Sequence, residues 1–365
     1  MSSTPKQAVS ELSVPVPWGE VRGKVWGPDH GRPVLCVHGW ADNCGTFNTI
    51  ISLLPKDCRY VAMDLAGHGR SSHHPPGVFY TIPQYVADIR RVVEGLQWTK
   101  FSIIGHSMGG NVGATFSAIY PEMVDALILL DVLGFVPTDP KEICNVMRKG
   151  MDNMLQFEKK TEEKKRIYTY EEAVERLLAA NPTLSNQSVH ILLERGLVQV
   201  EGGFVFSRDL RINFSNIVKS TLEQSLEMLS IVQASVLVIL ADKGFGLNIS
   251  KSNLLSALLQ GYRDRNHTVV TVPGDHHVHL NNPEVLFCIT DHHKRRVQLI
   301  QQHLDSYVVV VPGLVCPPLP AGLSFGAGRL WSVPVLPRAR AAGCPQVEQQ
   351  NNPASPSGHQ CELQR

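Results

Sequence analysis

Gly105-His106-Ser107-Met108-Gly109 carries the most specific chemical signal in this chain. A serine hydroxyl is a weak nucleophile until a base takes its proton and the backbone holds it toward a substrate. Glycines two places either side of a serine allow the crowded strand-to-helix turn that does the holding. The flanks agree with that turn. Phe101-Ser102-Ile103-Ile104 suits a buried strand, and Gly110 to Tyr120 is small, apolar and helix-compatible, with Pro121 where the helix should stop. The expectation is a covalent nucleophile at Ser107.

Such a serine needs an oxyanion hole, a base and an acid. Backbone N–H groups stabilise the developing alkoxide. Met108, next after the nucleophile, is expected to supply one. Trp40, in His38-Gly39-Trp40 after an early strand, is expected to supply the other. The base should follow the nucleophile and the last core strand in chain order. Gly274-Asp275-His276-His277-Val278-His279 falls there. His276 comes first and is preferred, with His277 and His279 next. Two aspartates compete as the acid that orients the imidazole. Asp131 directly follows Leu127-Ile128-Leu129-Leu130 and is preferred. Asp242, in Leu240-Ala241-Asp242-Lys243-Gly244, is the alternative. Asp64-Leu65-Ala66-Gly67-His68-Gly69 reads as a structural turn. His73-His74 and His292-His293 read as solvated loop histidines. The histidine cluster has no recognisable partner motif for a metal, so neither metal nor organic cofactor is expected.

The elements needed to position these groups alternate along the chain. Leu12 to Val16 and Val21 to Trp26 suggest a hairpin. Pro33 to Val37, Tyr60 to Met63, Phe101 to Ile104 and Ala126 to Leu130 read as strands, with an amphipathic helix over Tyr85 to Leu96. This alternation predicts an α/β fold, a mostly parallel sheet with helices on both faces. From Pro137 to about Leu229 the pattern turns helical and more charged, as in Glu158-Lys159-Lys160. That block, 136–229, is expected to be a helical cap inserted in a core formed by 10–135 and 230–306. Strands return at Val236 to Leu240 and Thr268 to Val272. Glu284 to Ser306 could close the sheet as a helix. Residues 311–365 are rich in Pro, Gly and Ala and are expected to be disordered.

Composition narrows the function. The 43% hydrophobic and 18% charged residues describe an ordinary globular chain, and a net charge of +1 offers no case for nucleic acid or anionic membrane. No secretory signal and no integral membrane segment is expected: Val308 to Val311 is cut at once by Pro312. The 8 cysteines are scattered without a Cys-x-x-Cys pair, which predicts a reducing compartment.

Together, His38-Gly39-Trp40, Asp64 to Ser72, Gly105 to Gly109 and His276 to Pro283 resemble the α/β-hydrolase superfamily. The wider runs Pro33 to Trp40 and Tyr60 to Asp64 are similar to the vertebrate serine hydrolase-like proteins. The resemblance covers about residues 10–285. It implies a cap-bearing fold, a serine nucleophile, a small-molecule acyl substrate and a cytoplasmic, perinuclear or peroxisome-associated protein. Leu363-Gln364-Arg365 is not a peroxisomal address. The chain departs from the superfamily pattern where the acid usually follows the seventh strand: that position is Gly244. Two functions follow: an esterase-like serine hydrolase with a Ser-His-Asp triad, or a ligand binder that keeps the pocket without an effective triad.

Overall fold

Among the described residues, eight strands form one sheet in the order β1-β2-β4-β3-β5-β6-β9-β10. A computed structural model describes residues 8–160, 166–245 and 253–286, all within one unit, Met1–Val310. The strands are β1 (Val9–Val16), β2 (Gly19–Trp26), β3 (Arg32–Val37), β4 (Cys58–Met63), β5 (Phe101–His106), β6 (Val124–Leu130), β9 (Ser235–Ala241) and β10 (Thr268–Val272). β1 and β2 pair antiparallel, β2 meets β4 antiparallel, and every later pairing in the sheet is parallel.

Parallel strands need crossovers, and crossover helices cover both faces. The central strands are therefore apolar without alternation. Every residue of β5 is buried, and β3 is buried from Val34 to Val37. Successive side chains still point to opposite faces. Leu35 and Val37 join a core layer with Ile89, Val92 and Phe116, while Val34 and Cys36 join another with Phe47, Ile50 and Ile128.

Helix α1 (Ile82–Gly95) starts at Thr81, whose side chain accepts from the Gln84 N–H, and buries Val86, Ile89, Val92 and Val93. Helix α2 (Met108–Ile119) leaves the elbow directly. Gly105 and Gly109 are required there. A Cβ on Gly105 would lie 2.6 Å from the Gly110 Cα, and one on Gly109 would collide with the Val37 carbonyl. Their absence lets α2 settle on the end of β3.

Between β6 and β9 lie α3 (Pro140–Lys159), α4 (Tyr170–Ala180), α5 (Asn186–Gly196) and α6 (Leu222–Ile231). Thr169 with Glu172, and Thr221 with Gln224, form capping boxes that fix the starts of α4 and α6. The sequence pattern suggests a wholly helical block, and the structure corrects this. A hairpin of β7 (Leu197–Val200) and β8 (Gly203–Phe206) sits inside it. Glu201-Gly202 makes the turn, with Gly202 at φ +85°, and Gly203 at φ +150° opens β8. Helix α7 (Asn253–Asp264), which the sequence reading did not single out, lies between β9 and β10 in chain order and packs on α6 and β10, and α8 (Val278–Asn281) follows β10. The expected closing helix beyond Leu286 and the expected disordered tail from 311 lie outside the described residues.

Candidate active site

Ser107 occupies the turn between β5 and α2 with φ 51° and ψ −120°. A non-glycine residue there is strained by roughly 1–3 kcal/mol, sustained by the packing of strand and helix around it. Ser107 Oγ lies 2.9 Å from His276 Nε2, and His276 Nδ1 lies 2.6 Å from Asp131 Oδ2. The three side chains come from the ends of β5, β10 and β6.

Asp131 is 1% exposed and also takes a positive φ, 49°. It accepts from the Ala241 N–H through Oδ1 at 3.0 Å and the Phe245 N–H through Oδ2 at 2.8 Å. Two backbone donors plus the imidazole fix the carboxylate in one orientation. Gly244 explains why it fits: any Cβ there would overlap the Asp131 carboxylate. The carboxylate from the end of β6 fills the space beside the residue where the superfamily pattern expects its acid. Asp242 lies elsewhere. Its Oδ1 accepts from the Gly274 N–H at 2.9 Å, and the side chain is exposed. The structure brings together Ser107, His276 and Asp131, and leaves Asp242 as a brace between two loops.

The other candidate histidines face away from Ser107. His277 Nε2 is 3.3 Å from Asp42 Oδ2, and His279 Nε2 is 2.9 Å from Thr46 Oγ1. His74 corrects the sequence reading. It is 2% exposed and paired with Asp88 at 3.2 Å, against the tilted ring of Trp18, rather than solvated. His292-His293 lies outside the described residues.

The His38-Gly39-Trp40 loop borders the elbow. A Cβ on Gly39 would lie 3.2 Å from the Ser107 Cβ and 2.8 Å from the His106 Nδ1. Met108 is the first residue of α2, so its N–H lacks an acceptor within the helix and sits at the positive end of the helix dipole. Trp40 is 53% exposed, and its indole Nε1–H donates to the Ile212 carbonyl at 2.8 Å. That bond ties the loop to the block between β6 and β9.

Ser107, Met108, Asp131 and His276 line a cavity of about 780 Å³. Its walls are mostly apolar: Val132 and Phe135 from the core, Ile212, Phe214 and Val218 from the block. The volume is that of a small-molecule site. No helix among the described residues is long and apolar enough to cross a membrane.

Two networks escaped the sequence reading. Arg195 on α5 reaches back to Asp64, with its Nε donating to Oδ2 at 2.9 Å, and its Nη1 meets Glu11 at 2.7 Å. Burial alone would raise the Asp64 carboxyl. The Arg195 guanidinium, with N–H groups of Arg70 and Cys44, outweighs burial and holds it below the usual range. The second network is Asp42, His106 and His277, gathered beneath the elbow. Neither set shows a sequence spacing, because each combines distant segments.

A family model described as alpha/beta hydrolase fold matches residues 32–184. A serine hydrolase-like protein of Danio rerio is 56% identical over 293 residues, spanning 80% of this chain and 90% of that one. The chain belongs to the α/β-hydrolase family. Serine hydrolase-like protein 2 of Homo sapiens is 41% identical over 286 residues, covering 76% of this chain and 91% of its own. A hypothetical protein of Pseudomonas aeruginosa has a solved structure that matches with a TM-score of 0.67 at 29% identity, over 74% of this chain and 93% of the other. A hydrolase-type function goes with that membership.

Proposed function

We propose that this chain is an esterase-like serine hydrolase acting on an ester or related acyl compound. The observation that carries the reading is the unbroken chain of contacts Ser107–His276–Asp131, at 2.9 and 2.6 Å, opening on an apolar cavity. Ser107 Oγ attacks the acyl carbon while His276 Nε2 takes its proton. Asp131 accepts the Nδ1–H, fixes the tautomer and stabilises the imidazolium that forms. The Met108 and Trp40 N–H groups receive the oxyanion. His276 then protonates the leaving group, and an acyl group remains on Ser107. Water, deprotonated by the same imidazole, releases it.

The apolar walls suit the acyl chain, and the mixed block 136–229 acts as the cap that shapes them. A membrane-spanning or nucleic-acid role finds no support in composition or charge.

The test is covalent labelling with a fluorophosphonate, which needs an activated serine. The parent protein should label, and Ser107→Ala should not. On an activated ester, His276→Ala should be far more damaging than His277→Ala or His279→Ala, compared at equal folded fraction. Absence of labelling in the folded parent would favour a binder that keeps the cavity without the chemistry.

A further inference from the structure

Three buried side chains from separate segments meet behind the elbow. Asp42 follows the His38-Gly39-Trp40 loop, His106 ends β5, and His277 precedes α8. They are 9%, 1% and 6% exposed. His277 Nε2 lies 3.3 Å and His106 Nδ1 3.6 Å from the same oxygen, Asp42 Oδ2. The three ligand atoms all lie within 4.8 Å of one another.

The hydrogen-bond roles in this cluster leave something missing. His106 Nε2 is 2.9 Å from the His276 carbonyl oxygen, which only accepts, so Nε2 carries the hydrogen. A neutral imidazole has a single N–H, so with the hydrogen on Nε2 the Nδ1 carries a lone pair. The Nδ1 lone pair then points toward a carboxylate that is itself an acceptor. Nδ1 is buried and has no hydrogen-bond partner. An acceptor facing an acceptor in a dry interior is unfavourable unless positive charge stands between them.

We propose that Asp42, His106 and His277 form a binding site for one divalent transition-metal ion of the zinc class. The spacing fits. Bonds of about 2.0–2.1 Å in tetrahedral geometry put ligand atoms roughly 3.3 Å apart, so small side-chain shifts complete the set. Two imidazoles and one carboxylate suit zinc, cobalt or nickel, whereas magnesium and calcium prefer oxygen ligands. The His106 Nε2–H bond to a backbone carbonyl is the kind of outer contact that orients a ligating histidine. On binding, His277 presents its Nε2 lone pair, and any proton held there leaves to solvent. None of the three ligand atoms takes part in the Ser107–His276–Asp131 contacts, so the site does not depend on the hydrolase reading.

The test uses the full chain, stripped with a chelator and titrated with Co²⁺. One equivalent should produce the intense visible bands of four-coordinate cobalt, and Zn²⁺ should displace it. Asp42→Asn and His277→Gln, shown folded by circular dichroism, should each lose those bands. Affinity should fall by more than the roughly 10–100-fold typical of removing an outer-shell partner. His30→Gln, at an exposed histidine, should bind like the parent. Should either variant unfold, X-ray absorption of the zinc-loaded parent decides: two imidazoles, oxygen and no sulfur are expected. Six-coordinate cobalt spectra, a sulfur shell, or unchanged binding in both folded variants would overturn the site.

Discussion

Asp64 and Asp131 are the first residues beyond β4 and β6, and each is buried in the same manner. Asp64 accepts backbone N–H bonds from Cys44 at 2.8 Å and Arg70 at 2.9 Å. Asp131 accepts them from Ala241 at 3.0 Å and Phe245 at 2.8 Å. The third partner separates them. Asp64 meets the guanidinium of Arg195, which never loses its charge. Asp131 meets the His276 imidazole, whose two ring nitrogens can each donate or accept a hydrogen. One strand end is thus a fixed ion pair joining the core to α5. The other holds a histidine at the wall of a cavity, and in the proposed triad it is the acid. The same residue type in the same position of a βα unit becomes scaffold or chemistry according to what the rest of the chain brings to it.

Replacing each carboxylate tests that contrast. The largest effect is expected from Asp131→Asn. An amide cannot hold the imidazole in the working tautomer, a defect of about 10⁴ in turnover in the best-studied serine protease case. Steady-state hydrolysis of an activated ester, with circular dichroism as the folding control, measures it. Retained activity would remove Asp131 from the proposed triad.

Asp64→Asn should act on stability instead. It leaves the buried Arg195 guanidinium with only the exposed Glu11 carboxylate opposite it, a loss toward the lower end of the roughly 3–5 kcal/mol typical of breaking a buried pair. Urea unfolding reads this loss. The native Asp64 carboxyl lies below its ordinary value. Its contribution is therefore complete above about pH 4 and disappears as pH falls through the lowered value. The variant should lack that part of the parent's acid unfolding. If Asp64→Asn lost turnover at full stability, the division between scaffold and chemistry would fail.

Gly244→Ala probes the space around Asp131. The new Cβ meets the carboxylate, which must move. A displacement near 1 Å is worth about 10² in rate, so turnover should fall by roughly that factor with little change in KM. Normal turnover would show that the carboxylate position is less constrained than its three partners indicate.

Asp242→Asn should do least. Its side chain is exposed and the amide oxygen can still accept from the Gly274 N–H. A change within roughly ±0.5 kcal/mol, about a factor of two in turnover, is expected. A loss larger than that of Asp131→Asn would reverse the assignment of the acid.

The sequence by itself determined the parts whose physics is local. The elbow needs glycine at 105 because the Gly109–Gly110 backbone a few residues on closes over it, whereas glycine at 109 answers to the distant Val37 carbonyl. Continuous apolar runs specify doubly covered strands, as Leu35 to Val37 and Ile103 to Ile104 show. Thr81 and Thr169 cap their helices through bonds to residues three positions on. Asp131, Asp242 and Asp64 could all be located at strand ends for the same reason. Only the tertiary structure decided between them. Sheet order sets β6 beside β9, so the β9 loop turns its Ala241 and Phe245 N–H groups onto Asp131. The β7–β8 hairpin was missed because Gly202-Gly203 sits among helical periods that dominate the surrounding pattern. Arg195 with Asp64 spans 131 positions, and His277 with Asp42 spans 235. No spacing rule reaches that far. Long-range pairs are chosen by how the whole sheet packs, and their chemistry is fixed only when burial removes the water that would otherwise have served each group alone.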